Sequence, residues 1–296
     1  MAKINIQFTL FSAFYSPLIV TMSGGFLKDE GLDYDWSVAT PGQSAIAALV
    51  AGTADVIQTA PSQSFGPLQK GEEPEAVHFA QINEMDGFFV SAREPDADFD
   101  WKKLEGAEVV MFKAGQPNVM FRNACLKAGI DYDKIVAVQP GGADAIDEAF
   151  RAGGGQYVQQ QGPYPQQLES DGKGHIVAKS GPLIGPNAFS SLASTKQWLA
   201  TDEALAFTRA YARARSFINS ASAAELAAQL SPYFKTTDVK ALEECLTIYK
   251  SLGCWTPHIE ISRPAFDNLL EIYTSSGGLT ENFAYEQVCV SPPGFS

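Results

Sequence analysis

The sequence is short of positive charge. Its 296 residues carry 21 Lys and Arg against 34 Asp and Glu, a formal net charge of −13, and no basic run interrupts that balance. Nucleic-acid backbones are bound through clustered Lys and Arg, so the composition speaks against a nucleic-acid partner and reads as a solubility charge spread over the surface. Long apolar runs are missing as well. Stretches such as Ala45 to Ala51 fall far below the roughly 20 residues a helix needs to span a bilayer. Cys125, Cys245, Cys254 and Cys289 stand singly, with no C-x-x-C pair and no zinc-ligand spacing, which predicts buried free thiols and no metal site. Cys245 and Cys254 are close enough along the chain to pair in an oxidising compartment, a matter that geometry decides.

Catalytic signatures are equally sparse. The chain has no G-x-S-x-G elbow, no G-x-x-x-x-G-K-[ST] phosphate loop and no H-E-x-x-H motif. Gly153-Gly154-Gly155 precedes a strand pattern instead of following one, so it reads as a helix-ending turn and not a dinucleotide fingerprint. His78, His175 and His258 are the only histidines, and no two share a helix face at ligand spacing. No cofactor is expected. Met1-Ala2-Lys3 leads straight into the alternating Ile4-Asn5-Ile6-Gln7-Phe8-Thr9, without the basic flank, apolar segment and cleavage site of a leader. The expected location is periplasmic, or extracellular and lipid-anchored, if a leader has been removed, and cytoplasmic otherwise.

What is present is an ordinary globular composition, 45% apolar and 19% charged, long enough for one large or two modest domains without disulfide or metal staples. Strand-like and helix-like patterns alternate, the grammar of α/β layers. Strands are expected at Ile4 to Thr9, Asp33 to Val38, Asp55 to Gln58, Val77 to Gln81 and Gly87 to Ser91. Helices are expected from Pro17 to Gly24, from Thr40 to Ala51 and from Ser62 to Gln69. The polar, Pro-containing Glu94 to Asp98 is the first candidate crossing between lobes. The grammar then restarts: strand Glu108 to Phe112, helix Pro117 to Ala128, strand Ile135 to Gln139, helix Ala143 to Ala152, strand Gln156 to Gln159 and strand His175 to Lys179. Gly181 to Asn187 reads as the return crossing. Beyond Thr201 the chain turns helical, and Phe207, Ala210, Tyr211, Ala214, Phe217 and Ile218 form a core stripe, with Arg209, Arg213 and Arg215 on other faces.

Ligands of open α/β sheets sit outside the carboxyl ends of the strands, and the candidate residues follow from that rule. In the first lobe these are Ser12, Phe14 and Tyr15 after the first strand, Gln43 and Ser44 at a helix start, Thr59 and Ser62 after the third strand, and Glu84 and Asp86 after the next. In the second lobe they are Gln116 and Asn118 beside Lys113, then Gln160 and Tyr164 in the loop from Gln159 to Tyr164, which supplies amide donors and acceptors plus one aromatic, with Asn187 in the return crossing. Exposed helix-start amides near Lys113 favour an anionic group, whereas the two carboxylates favour an amine or amidine, or work as acid and base.

Gly25-Phe26-Leu27-Lys28-Asp29-Glu30-Gly31-Leu32-Asp33 and Ala48-Leu49-Val50-Ala51-Gly52-Thr53-Ala54-Asp55-Val56 resemble the opening of the periplasmic-binding-protein-like family of ABC transporter receptors for nitrate, sulfonates, taurine and thiamin precursors. Leu104 to Val110 and Gly141 to Ala145 fit that family's second lobe, so the resemblance runs from about Ile4 to Gly278. It implies an α/β, two-lobed type II periplasmic binding protein fold with residues 1–91 and 188–296 in one lobe and 92–187 in the other. It also implies a hinge that closes on a small organic anion or heteroaromatic, and a membrane permease as partner. The related yeast-type pyrimidine synthase uses a Lys, a His and a Cys-rich segment. By alignment Thr59 and Gln63 stand at the Lys and His places, and Gly185 to Ser190 holds no Cys. A Cys-dependent desulfinase is disfavoured in the same way, because the earliest cysteine is Cys125. The alternative is a cytoplasmic enzyme on the same fold, a decarboxylase, lyase or thiamin-precursor enzyme, using Glu84 and Asp86.

Overall fold

Ile4, Ile6 and Phe8 alternate with Asn5 and Gln7, and in the computed structural model, which describes residues 1–40 and 43–295, this alternation buries the three apolar side chains on a strand. Ten strands follow in order: β1 Ala2–Phe8, β2 Leu32–Val38, β3 Val56–Thr59, β4 Val77–Asn83, β5 Phe88–Ala92, β6 Glu108–Val110, β7 Val136–Val138, β8 Tyr157–Gln161, β9 His175–Lys179 and β10 Ser190–Ser194. They build two five-stranded sheets, ordered β2-β1-β3-β10-β4 and β7-β6-β8-β5-β9.

The two sheets share one plan. In the first, β1 is parallel to β2 and β3, while β10 runs antiparallel to β3 and β4. In the second, β6 is parallel to β7 and β8, while β5 runs antiparallel to β8 and β9. Each odd strand is the one that arrives directly from the other lobe. It enters at the carboxyl edge of the parallel strands, where the lobes meet, and so must run backwards through the sheet.

This arrangement moves the first crossing. Residues 88–91, expected in the first lobe, belong to β5 and pair with β8 and β9 in the second sheet, so the chain crosses at residues 84–87 and not at Glu94 to Asp98. The segment between β9 and β10 includes a short helix, Gly181–Ile184. It delivers β10, a strand that the Ser-rich SSLAS segment did not announce. Of the helix expected from Thr40 to Ala51, only Ile46–Val50 is helical, and Pro41 and Gly42 lie outside the described residues.

The long helix Asp202–Ser220 lays Phe207, Ala210, Tyr211, Ala214 and Ile218 into the core, with Phe217 partly covered. Arg215, expected on another face, is fully buried. Its guanidinium donates to the carbonyls of Ile82 (2.5 Å) and Thr256 (2.7 Å) and to Thr256 Oγ1 (3.0 Å), which offsets the cost of burying the charge. Among the described residues no helix is long and apolar enough to cross a membrane.

Candidate functional site

The carboxyl ends of β1, β3 and β4 face those of β6, β8 and β9 across a seam, and buried hydrogen bonds stitch it shut. The Gly162 peptide, just after β8, is gripped from the first lobe on both sides. Its carbonyl accepts from Ser12 Oγ (2.6 Å) and its N–H donates to the Tyr249 hydroxyl (2.7 Å), which in turn donates to the carbonyl of Gly87 in the first crossing (3.1 Å). Ser12 Oγ also accepts from Phe14 N (3.1 Å), capping the short 3₁₀ turn Ala13–Tyr15. A second stitch joins Ser62 Oγ to Gln116 Oε1 (2.5 Å), and the same amide donates to the Phe189 carbonyl. The Tyr273 hydroxyl lies beside Ser62, and burial pushes its pKa up to about 12.

Between these stitches the seam holds polar atoms with no partner. Thr59 Oγ1, Gln159 Oε1 and both amide atoms of Gln166 are buried and make no hydrogen bond, and Gln161 has no partner but the Tyr15 hydroxyl. Gln161 lies alongside the Tyr15 hydroxyl, whose pKa burial raises, and Gln166 Oε1 lies beside Gly162. A buried, unpaired amide or hydroxyl costs about 1–3 kcal/mol, which makes this seam the candidate site.

Of the residues expected from sequence, Ser12 and Tyr15 lie against Gly162 and Gln161, Ser62 is bonded to Gln116, and Thr59 is buried at the end of β3. Phe14 sits behind them, fully buried against Tyr15, Phe189 and Tyr249 at ring-centroid distances of 5.7, 5.2 and 4.8 Å. Gln43 is exposed and Ser44 partly so; Ala45 N donates to Thr9 Oγ1 (3.2 Å), which puts this pair near the end of β1. Asn118 is engaged within the second lobe, donating to the Phe112 carbonyl (3.0 Å) and the Tyr132 hydroxyl (2.7 Å). Gln160 donates to Asp147 Oδ1 (2.9 Å), and the Tyr164 hydroxyl is bonded to Asp144.

Glu84 and Asp86 do not form a pair in the seam. Glu84 contacts His258 Nε2 (3.1 Å) and accepts from Ser262 Oγ (3.1 Å). Asp86 is fully buried in the first crossing, its Oδ1 accepting from Phe88 N (2.9 Å), its Oδ2 unpaired, and its pKa pushed up to about 7 by burial. Asn187 completes the return crossing, with Nδ2 donating to the Gly185 carbonyl (3.0 Å) and N to the Glu84 carbonyl (3.0 Å). All four cysteines are buried free thiols.

Gln166 and Tyr249 are the residues here that sequence reasoning passed over. The loop from Gln159 to Tyr164 offers amide donors and acceptors by sequence alone, and strand alternation puts 159 and 161 on the face opposite 160. Tyr249 comes from a helix of the C-terminal region, Val239–Ser251, and no local pattern connects it to β8.

Known proteins share this design. YtlA of Bacillus subtilis, named as a candidate binding protein, is 29% identical over 292 residues, covering 97% of this chain and 87% of its own. The periplasmic aliphatic sulphonate binding protein SsuA from Escherichia coli superposes with a TM-score of 0.76 at 14% identity, over 98% of this chain and 97% of its own. The periplasmic nitrate-binding protein NrtA from Synechocystis PCC 6803 gives 0.65 at 13% identity, over 99% and 92%. At such identities the two structures establish the two-lobed periplasmic-binding fold and nothing finer. Residues 9–231 match the model of the NMT1-like family, three quarters of the chain, and the chain belongs to that family.

Proposed function

We propose that this chain is the solute-binding receptor of an ABC-type uptake system, and that its lobes close around a small organic molecule held at the seam between β1, β3 and β8. The carrying observation is the set of buried, unpartnered side-chain atoms at Thr59, Gln159 and Gln166, enclosed by the interlobe bonds of Ser12 and Ser62. A hinged trap binds by difference: both lobes touch the ligand only when closed, so ligand shifts the population toward the closed form. The moving bodies in this reading are residues 1–86 with 188–296, and residues 87–187. A membrane permease would read the closed form, placing the receptor on the outer side of the cytoplasmic membrane, in a periplasm or held by a lipid anchor. The names of YtlA, SsuA and NrtA, all binding proteins, support this reading.

Thermal shift of the purified protein against sulfonates, aromatic acids, pyrimidines and amines, with mass spectrometry of every hit after prolonged incubation, tests it. A ligand that raises the melting temperature with dose and returns unchanged is the expected result. A hit that comes back chemically converted replaces the receptor with an enzyme.

A further inference from the structure

Building on the receptor reading, we infer that the ligand is uncharged and carries both hydrogen-bond donors and acceptors, read by the side-chain amides of Gln161 and Gln166 and the hydroxyl of Thr59. The seam is rich in neutral donors and acceptors and has no cation. Among the described residues Arg215 is the only buried Lys or Arg, and its guanidinium is spent on the carbonyls of Ile82 and Thr256 behind β4. Lys113, the basic residue after β6, is exposed to solvent. An anion drawn into this seam would lose its hydration without gaining a countercharge.

Backbone amides do not replace the missing cation. Proline at position 117 deletes a donor from the first turn of Gln116–Lys127, and Asn118 N is turned back onto the Gly115 carbonyl (3.1 Å). Pro61 deletes another at the 3₁₀ turn Pro61–Ser64, where Gln63 N is bonded to the Ala60 carbonyl (2.9 Å). At Ala13–Tyr15, Ser12 consumes the amides of both Phe14 and Tyr15. The helix starts that would cradle an anion are short of free N–H groups at each of these three places. Gln166, by contrast, presents an unpaired carbonyl oxygen and an unpaired NH₂ group, and Gln161 has no partner but the Tyr15 hydroxyl, a set that matches a molecule with amide-like edges. The inference departs from the expectation, drawn from Lys113 and the helix starts, of an anionic group.

The test uses pairs that differ in charge: uracil and orotate, nicotinamide and nicotinate, methanesulfonamide and methanesulfonate. The expected result is that dose-dependent melting shifts come from uncharged members, and that Gln161→Leu and Gln166→Leu each weaken that binding at least about tenfold. The same two variants are expected to leave the melting temperature of the unliganded protein unchanged or raised, because each deletes buried amide atoms that are short of partners; a purely structural role predicts a fall. An anion that outdoes its neutral partner overturns the inference and leaves the receptor reading standing. If every pair is silent, the receptor reading falls with it.

Discussion

Gly162 is held by both of its peptide atoms, and there is no room beside it for a side chain. A Cβ at this position would lie 2.3 Å from Cys245 Sγ and 2.8 Å from the Tyr249 hydroxyl, well inside contact distance, so Gly162→Ala is expected to block closure while each lobe remains folded. Gentler changes separate the two grips. Ser12→Ala leaves the Gly162 carbonyl without its donor, and Tyr249→Phe leaves its N–H without an acceptor; each orphaned group costs about 1–3 kcal/mol when buried. On the receptor reading these bonds form on closure, so the loss should appear as faster ligand release with little change in association rate. Stopped-flow dissociation measured on whichever probe binds decides this: release rates equal to wild type in both variants would show that the Gly162 peptide is no latch.

At the scale of elements, most helices and strands were legible because their apolar periodicity is strong: His175–Lys179 falls on the residues that the pattern marks, and Gln116–Lys127 and Ala143–Arg151 to within a residue of them. Alternation reveals that a strand exists but says nothing about which sheet it joins, and so β5 was placed in the wrong lobe. The strand β10 was illegible because Ser190, Ser191 and Ser194 are buried by pairing and hydrogen bonds and not by hydrophobicity. The same central strands carry an electrostatic balance. Asp86 follows β4 and its pKa is raised to about 7, whereas His78 within β4 is pushed down to about 3 by burial between Ser64 (3.1 Å) and Ser191 (2.8 Å). Between about pH 4 and pH 7 folded Asp86 holds a proton that the unfolded chain has lost, so this group removes stability as pH rises; between about pH 3 and pH 6.5 His78 does the reverse. The two slopes, each at most about 1.4 kcal/mol per pH unit, oppose one another from about pH 4 to 6.5. Asp86→Asn keeps the acceptor for Phe88 N and unmasks His78. Denaturant midpoints of this variant, relative to wild type, should climb from pH 4.5 to pH 7 and level off above; a constant offset across that range would mean that Asp86 does not titrate there.

Across the whole molecule the C-terminal helices tie the two lobes together. Val239–Ser251 packs on the second-lobe helix Tyr164–Ser170, and Arg263–Ser275 packs on Gln116–Lys127. The polar ties between these helices lie at or near the surface. Asp238 N donates to Gln167 Oε1 (2.7 Å), Asp238 Oδ2 accepts from Ser170 Oγ (2.7 Å) and Gln167 Nε2 (3.2 Å), and Asn123 Nδ2 donates to Ser275 Oγ (3.3 Å). Exposed bonds of this kind are worth about 0.5–1.5 kcal/mol each, because water replaces them when they break. On the receptor reading, that suits a contact made and released as the lobes close and open, in contrast to the buried grip on Gly162. Asp238→Ala removes both side-chain bonds and should bias the molecule toward the open form by about 1–2 kcal/mol. Affinity for a bound probe would then fall several-fold while the thermal stability of the unliganded protein stays within a few degrees of wild type, about what a loss of 1 kcal/mol produces at this size. Small-angle X-ray scattering of the unliganded variant should report a larger radius of gyration than wild type, converging on the wild-type value at saturating probe. Superimposable curves at every probe concentration, with unchanged affinity, would assign the Asp238 bonds to the static packing of the helices and leave closure to the seam alone.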